Sequence, residues 1–253
     1  MCSSDLLTPT FTDLEKKGHV LYVREAFQPH VAMTSEYVKV QPNGGSRVLL
    51  DEAVGSDRSV EFTLPSYGHF ISDMAFNVKL PQVGTGTGST YYRWAALPGV
   101  RILREVAFLS DRVTIDEYNS DDAAFYGKFR VPPERRPAWE RMVGQEETRT
   151  ATYFNRNGWT GEIPYRDGLQ TPKKQHAAAD LWVPAQLWMC DSVASALPSS
   201  LVPASQRTVR VQLEALSRLL YAEDGCGSDA ALDVSGVWVE LALYVNCLFT
   251  QPE

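Results

Sequence analysis

One stretch near the end of the chain, GVWVELALYVNCLF (Gly236 to Phe249), constrains the fold more than any other. Successive side chains of a β-strand point to opposite faces of a sheet, so a strand with one buried face shows apolar residues at every second position. The residues on one face of this stretch are Val237, Val239, Leu241, Leu243, Val245, Cys247 and Phe249. The stretch is therefore predicted to be a half-buried strand.

Shorter segments alternate in the same way, notably SVEFTL (Ser59 to Leu64) and RTVRVQL (Arg207 to Leu213). Further predicted strands begin at His19, Glu36, Phe70, Val100 and Leu181. In the last of these, Pro184 cannot donate to a ladder, which predicts a bulge or an edge position. Turn-rich segments begin at Gln41, Gly84, Asn155 and Glu223 and separate the strands. This many short strands with little helix predicts an all-β sandwich or barrel.

Two short helices are predicted between the strands, at about residues 116–128 and 133–142. Pro132 and Pro133 suit the start of the second helix. Trp139, Met142 and Val143 give that helix a short apolar stripe. We expect an N-terminal arm over residues 1–18 and one domain over 19–253, carrying a helical insertion at about 116–143, because all-β domains of this length commonly fold as a unit.

The charge balance disfavours nucleic acid as a partner. The formal net charge is −7 and the isoelectric point is near 5.2, whereas binding to many phosphates needs many cations. The densest basic patch comprises Arg130, Arg135, Arg136 and Arg141. Acidic neighbours dilute it, so it is either an interfacial ion-pairing patch or a solvated surface.

The sequence indicates synthesis in a reducing compartment. The beginning of the chain shows no signal peptide pattern, and no apolar stretch is long enough to span a bilayer. Cys2, Cys190, Cys226 and Cys247 are scattered without a CxxC pair. We expect reduced, structural thiols and synthesis in a non-secretory compartment.

Four carboxylates crowd the segment IDEYNSDDAAFYGKF, which runs from Ile115 to Phe129. They are Asp116, Glu117, Asp121 and Asp122. Such a group could divide acid and base roles or bind a hard cation. The segment lacks the alternating ligands and central glycine of a calcium loop, so we favour a helix start, with Asp111 or Asp116 as the cap. Tyr118, Phe125 and Phe129 are the predicted apolar contacts that seat this helix.

No other segment presents a catalytic template. GTGTGST (Gly84 to Thr90) has glycine density but no phosphate-binding lysine, and is predicted to be a flexible surface loop. The four histidines lie far apart without metal-ligand spacing: His19, His30, His69 and His176. We therefore predict no catalytic, cofactor-binding or metal-ligating residue, no cofactor and no enzymatic activity.

Seven segments, in this order, give the chain a specific resemblance. They are FQPHVAMTSEYVKVQP from Phe27, FTLPSYGHFISDM from Phe62, VAFLSDRVTIDEYNSD from Val106, MVGQE from Met142, GLQTPKK from Gly168, ALPSSLVPASQRTVRVQL from Ala196 and LALYVNCLFTQPE from Leu241. In sequence and order they resemble the major capsid proteins of nucleocytoplasmic large DNA viruses, in the branch of African swine fever virus and faustovirus. Within a Pro-x-x-Gly-Asp turn of that family, this chain keeps Gly68 and has His69 in place of Asp.

The resemblance implies an eight-stranded, two-sheet jelly roll with long loops, and it covers the first of the family's two rolls. It implies a structural protein that self-assembles into trimeric or pseudo-hexameric capsomers of an icosahedral virion, assembled in the host cytoplasm. The implied partners are the chain itself or a second jelly-roll chain, with neighbouring and minor capsid proteins. A single roll leaves three readings open: a fragment, a subunit split between two chains, or a homo-oligomer with more copies.

Two other functions fit the same architecture. A non-catalytic, lectin-like binding module could use Trp159, Trp182, Trp188 and Tyr165 to stack on sugars. A metalloenzyme of the cupin type would need clustered histidines, which the sequence lacks. The capsid reading has the broader support, and it places the contacts with neighbours in the loops Gln41 to Ser46 and Gly84 to Thr90 and in the helical insertion.

Overall fold

The computed structural model describes residues 33–50, 59–145, 150–154, 160–164, 170–200, 202–203, 206–224, 229–232 and 237–250. The predicted strand from His19 and the predicted arm over residues 1–18 lie outside them. The strands in this part of the chain are β1 (Met33–Val40), β2 (Arg47–Leu49), β3 (Ser59–Thr63), β4 (Phe70–Leu80), β5 (Tyr91–Trp94), β6 (Leu103–Ser110), β7 (Val113–Asn119), β8 (Thr150–Phe154), β9 (Thr160–Pro164), β10 (Ala179–Pro184), β11 (Leu197–Pro198), β12 (Arg207–Leu213), β13 (Leu220–Glu223) and β14 (Trp238–Thr250).

Eight of these strands form two antiparallel sheets. The first sheet has the order β1-β14-β4-β10, with β2 added to β14 and β11 added to β4. The second sheet has the order β3-β12-β6-β7. Counted along the chain, the eight strands run 1-8-3-6 in one sheet and 2-7-4-5 in the other. This order defines a jelly roll and confirms the predicted fold class.

The predicted alternation holds where the strands face the core. In β14, Val239, Leu243 and Val245 are fully buried, while Trp238 on the other face is half exposed. In β12 every second residue is buried, from Arg207 to Leu213. Each fully buried Val, Leu or Phe contributes about 1.5–3 kcal/mol, so the facing rows of the two sheets supply most of the stabilisation.

The position of β10 explains Pro184. This strand pairs only with β4 in the first sheet and is therefore an edge strand. Pro184 is its last residue and lies opposite Ala75. The prediction of an edge or bulge position for this proline is confirmed, since an edge strand tolerates a missing donor.

The helices in the described part of the chain are α1 (Pro98–Ile102), α2 (Ser120–Phe129), α3 (Arg136–Met142) and α4 (Leu216–Leu219), with 3-10 turns at Trp188–Cys190 and Val193–Ser195. The prediction of a strand from Val100 was wrong for its first residues, which lie in α1. Val100 and Ile102 are both buried there. Two buried apolar residues at this spacing fit a five-residue helix as well as a strand. Hydrophobic periodicity therefore could not distinguish a helix from a strand at this position.

Both predicted helices of the insertion exist, although their starts are later than predicted. Residues 116–119 belong to β7, and α2 begins only at Ser120. In α3 the predicted stripe is confirmed, because Trp139 and Val143 are buried and Met142 packs against the core.

Candidate interaction surfaces

The acidic segment spans the end of β7 and the first turn of α2. Within the described residues, no group of three or more His, Cys, Asp or Glu side chains could hold a metal ion. Asp116 accepts a hydrogen bond from the Trp188 backbone N–H at 2.8 Å, and Asp121 forms an ion pair with Arg101. Asp116 and Asp121 therefore act separately, each on its own partner.

The cap of α2 is Asn119, so the predicted caps Asp111 and Asp116 were wrong. The Asn119 side-chain oxygen accepts from the backbone N–H groups of Asp121 and Asp122 at 2.8 and 3.0 Å. In return, the Asp122 carboxylate accepts from the Asn119 backbone N–H at 3.0 Å. This is a capping box, and the spacing Asn119-x-x-Asp122 was the sequence signal that could have located it.

Asp111 has a different role, in the turn between β6 and β7. Asp111 and Arg112 have φ values of 49° and 68°. Two successive residues with positive φ form the tight hairpin turn whose twist matches that of the flanking strands. The acid therefore sits in a hairpin turn nine residues before the helix and cannot cap it.

Small side chains seat α2, which corrects the predicted role of Phe125 and Phe129. Only the third predicted contact, Tyr118, packs against the core, and burial raises the pKa of its hydroxyl. The buried residues of α2 are Ala123, Ala124 and Gly127. Phe125 and Phe129 point outward, 56% and 81% exposed.

A cleft of about 610 Å³ lies beside α2, between the end of β10 and the 3-10 turns. Arg130 lines it and lies 3.5 Å from the Asp191 carboxylate, with its guanidinium 5.8 Å from the centre of the Tyr126 ring. Of the predicted basic patch, Arg130 is thus engaged in an ion pair. Cys190 also lines this cleft, and burial is the main cause that raises its pKa to about 12.

Two of the four aromatic residues proposed for sugar stacking pack against neighbouring rings in the chain. Trp182 packs on Tyr244 with ring centres 4.8 Å apart, and Trp188 packs edge-on against Phe108 at 5.4 Å. Trp159 and Tyr165 lie outside the described residues. The geometry therefore adds no support for a lectin-like surface.

The two loops predicted to contact neighbours lie at the surface. In the loop Gln41 to Ser46, the Asn43 amide donates to the Thr63 hydroxyl at 3.1 Å. This loop also lines a second cleft of about 510 Å³, together with Trp238. In the loop Gly84 to Thr90, the residues from Thr85 to Ser89 are exposed, as expected of a surface loop.

The turn at Gly68 clamps the end of β14. Gly68 has φ of 79°, and a Cβ there would lie 3.0 Å from the Leu248 carbonyl oxygen and 3.1 Å from the Cys247 Cβ. The Nδ1 atom of His69 accepts a hydrogen bond from the Thr250 backbone N–H at 3.0 Å. His69 thereby supplies an acceptor, as a carboxylate could, at the position where the family has Asp.

The two antiparallel sheets, with loops and short helices at the surface, define the chain as a jelly-roll domain. The homologues of this chain are major capsid proteins, as the seven segments predicted. The "Major capsid protein" of an African swine fever virus isolate is 20% identical over an alignment that covers 97% of this chain and 58% of that protein. The "Hexon protein p72" of a second isolate matches with the same identity and coverage. No family model matches.

Solved structures show the same fold. The faustovirus major capsid protein superposes with a TM-score of 0.67 at 21% identity, covering 97% of this chain and 59% of that one. The VP54 protein of PBCV-1 superposes with a TM-score of 0.55 at 16% identity, covering 89% of this chain and 44% of that one. The resemblance to the first jelly roll of these capsid proteins is therefore confirmed.

This chain spans less than two thirds of the length of the relatives that it matches. The alignment with the first African swine fever virus protein runs over 384 positions, whereas the chain has 253 residues. Within the aligned region, that relative therefore carries residues that have no counterpart in this chain. In the described residues of this chain, no helix is long and apolar enough to cross a membrane.

Proposed function

We propose that this chain is a structural component of a viral capsid, which assembles through its jelly roll into capsomers of an icosahedral shell. The observation that carries the proposal is the similarity to major capsid proteins along 97% of the chain. The strand order of the two sheets supports it independently, because that order is built from long-range pairings that chance similarity would not reproduce.

The proposed role requires no catalysis. Three titratable groups at the cleft beside α2 are engaged in structural contacts: Asp116 with a backbone N–H, Arg130 with Asp191, and Asp73 with the Asn246 amide at 2.7 Å. Burial of Tyr37 beside Asp73 raises the pKa of its hydroxyl to about 12.

The proposed partners are further copies of this chain or a second jelly-roll chain, together with neighbouring capsid proteins in the virion. The contacts would be broad, because stable assemblies of this kind bury on the order of 2,000 Å² or more. The loops Gln41 to Ser46 and Gly84 to Thr90 and the two helices of the insertion are the elements that extend from the sandwich toward such neighbours. We propose assembly in the host cytoplasm, in keeping with the free thiols of Cys190 and Cys247.

Assembly of the purified full chain tests this proposal. Mass photometry and negative-stain electron microscopy over a concentration series should show closed oligomers of one size, and peptide mass spectrometry should find the chain in purified virions. A variant in which the loop Gly84 to Thr90 is shortened to a two-residue turn tests whether this loop takes part in the contacts between subunits. A chain that stays monomeric and is absent from virions would contradict the proposal.

A further inference from the structure

The outward face of α2 carries two large apolar side chains that make no contribution to the core. Phe125 and Phe129 are 56% and 81% exposed, and they stack on each other with ring centres 6.1 Å apart and planes inclined by 22°. They are one helical turn apart, so they form a continuous ridge. Water contact with such a ridge is unfavourable, which marks it as an interaction surface.

The apolar area of this face suits the centre of a protein interface. A Phe or Tyr side chain offers about 200 Å², so the exposed fractions of Phe125, Phe129 and the 37% exposed Tyr126 amount to roughly 350 Å². Trp188, 39% exposed across the adjoining cleft, raises the total to roughly 450 Å². An interface of standard size buries about 800 Å² per partner, of which somewhat more than half is apolar.

Charges at the two ends of the helix give the ridge a direction. Asp121 and Asp122 lie in the first turn of α2, before the two phenylalanines. Lys128 lies in the last turn, and Arg130 follows at the C-terminal cap. The helix therefore has an acidic end, an apolar centre and a basic end. Asp121 and Arg130 pair within the chain with Arg101 and Asp191, but their side chains remain 67% and 65% exposed.

Such a face is complementary to itself when two copies run antiparallel. We propose that α2 is a contact between two copies of this chain, whose α2 helices pair antiparallel about a two-fold axis. Phe125 and Phe129 of each copy then pack against those of the other copy, and each acidic end meets a basic end. Symmetric contacts of this type place the same surface patch of both copies together.

Other occupants fit this face less well. A membrane-surface helix has basic residues on its polar side, whereas α2 carries Asp121 and Asp122 on the side of the ridge. A small ligand needs a concave site that covers it, and the stacked rings protrude. The inference rests on the proposed function in one respect, namely that copies of the chain associate with each other. It specifies in addition the face through which they associate and the orientation of the two helices.

Replacing the two rings with glutamine tests whether this face is used. Glutamine is a good helix former, so Phe125→Gln with Phe129→Gln should leave the circular dichroism spectrum unchanged. Sedimentation equilibrium of the full chain should show the dissociation constant of the pair raised at least about tenfold, as for interface hot spots. Val113→Gln, which changes a 62% exposed apolar residue of β7 outside the proposed contact elements, is the matched control.

The outcomes separate this inference from the proposed function. Weakened association in the double variant alone supports the α2 contact. Unchanged association of the double variant, or equal weakening in Val113→Gln, overturns the contact while leaving assembly intact. A wild-type chain that is monomeric at every concentration overturns both.

Disulfide trapping tests the antiparallel orientation. The centre of the ridge lies between positions 125 and 129, so position 125 of one copy should face position 129 of the other. Phe125→Cys and Phe129→Cys, prepared separately with different mass tags and mixed, should form 125-to-129 disulfides more often than random pairing gives. Excess homodisulfides would indicate parallel helices, and cross-linking no greater than in the wild-type chain would exclude the contact. Either result overturns the inference.

Discussion

Gly127 should behave against the usual rule for glycine in a helix. Replacing a glycine in a helix interior with alanine normally stabilises by about 0.8–1 kcal/mol. At this position an added Cβ would overlap the six-membered ring of Trp139, and the most distant of the three nearest ring atoms, Cζ3, would lie only 2.6 Å away. Carbon atoms in good contact lie about 3.5–4.0 Å apart, so Gly127→Ala requires the ring to move.

The steric cost should exceed the gain in helix propensity. Trp139 is buried between α2 and α3, and overpacking such a site costs about 1–3 kcal/mol. Subtracting the propensity gain leaves Gly127→Ala destabilised by about 1 kcal/mol, within a range from roughly zero to 2. For a chain of this size, that lowers Tm by about 2–4 °C.

Replacing Trp139 should reverse the sign of the effect that Gly127→Ala has on the free energy of unfolding. In a Trp139→Leu chain the ring is gone, so adding Gly127→Ala should stabilise by about 1 kcal/mol relative to Trp139→Leu alone. Urea unfolding of the four chains, followed by far-UV circular dichroism at one fixed protein concentration, gives the coupling free energy. The reasoning is refuted if Gly127→Ala stabilises the wild-type chain, or if its effect is the same in both backgrounds.

Two further predictions concern the neighbourhood of this helix. Asn119→Ala should lower the free energy of unfolding by about 1 kcal/mol, since two backbone N–H groups lose their acceptor, whereas Asn119→Ser should retain most of it; the same urea unfolding checks both, and equal losses would exclude the capping role. Because the pKa of Cys190 is raised to about 12, its reactive thiolate is scarce at pH 8, and iodoacetamide should modify it at least about 100-fold more slowly in the folded chain than in the urea-unfolded chain. Peptide mass spectrometry measures both rates, with Cys190→Ser identifying the peptide, and similar rates would show that burial does not control this thiol.

The sequence predicted those elements whose pattern is dictated by burial on one face. β4, β12 and β14 were located because their inward residues are large and apolar at every second position, which only a half-buried strand requires. The start of β6 was misplaced because α1 is too short for its period to be distinguished from that of a strand.

The insertion was harder to predict for a packing reason. Large apolar residues usually mark the buried side of a helix, but α2 approaches the core through Ala123, Ala124 and Gly127, with Trp139 filling the space that Gly127 leaves. Phe125 and Phe129 are consequently on the outside. No pattern within α2 alone identifies which side is buried, because the deciding side chain belongs to α3.

The central place of β14 has a consequence for how the chain folds. This last strand pairs with β1 on one side and β4 on the other, although roughly 200 residues separate Val40 from Leu243, its partner in the register. Pairings at such sequence distance form slowly. During synthesis the inner edges of β1 and β4 stay unpaired until residue 250 has left the ribosome, and in that interval they are open to strands of neighbouring nascent chains. The chain is therefore most prone to aggregation in the interval between the synthesis of β1 and β4 and their pairing with β14.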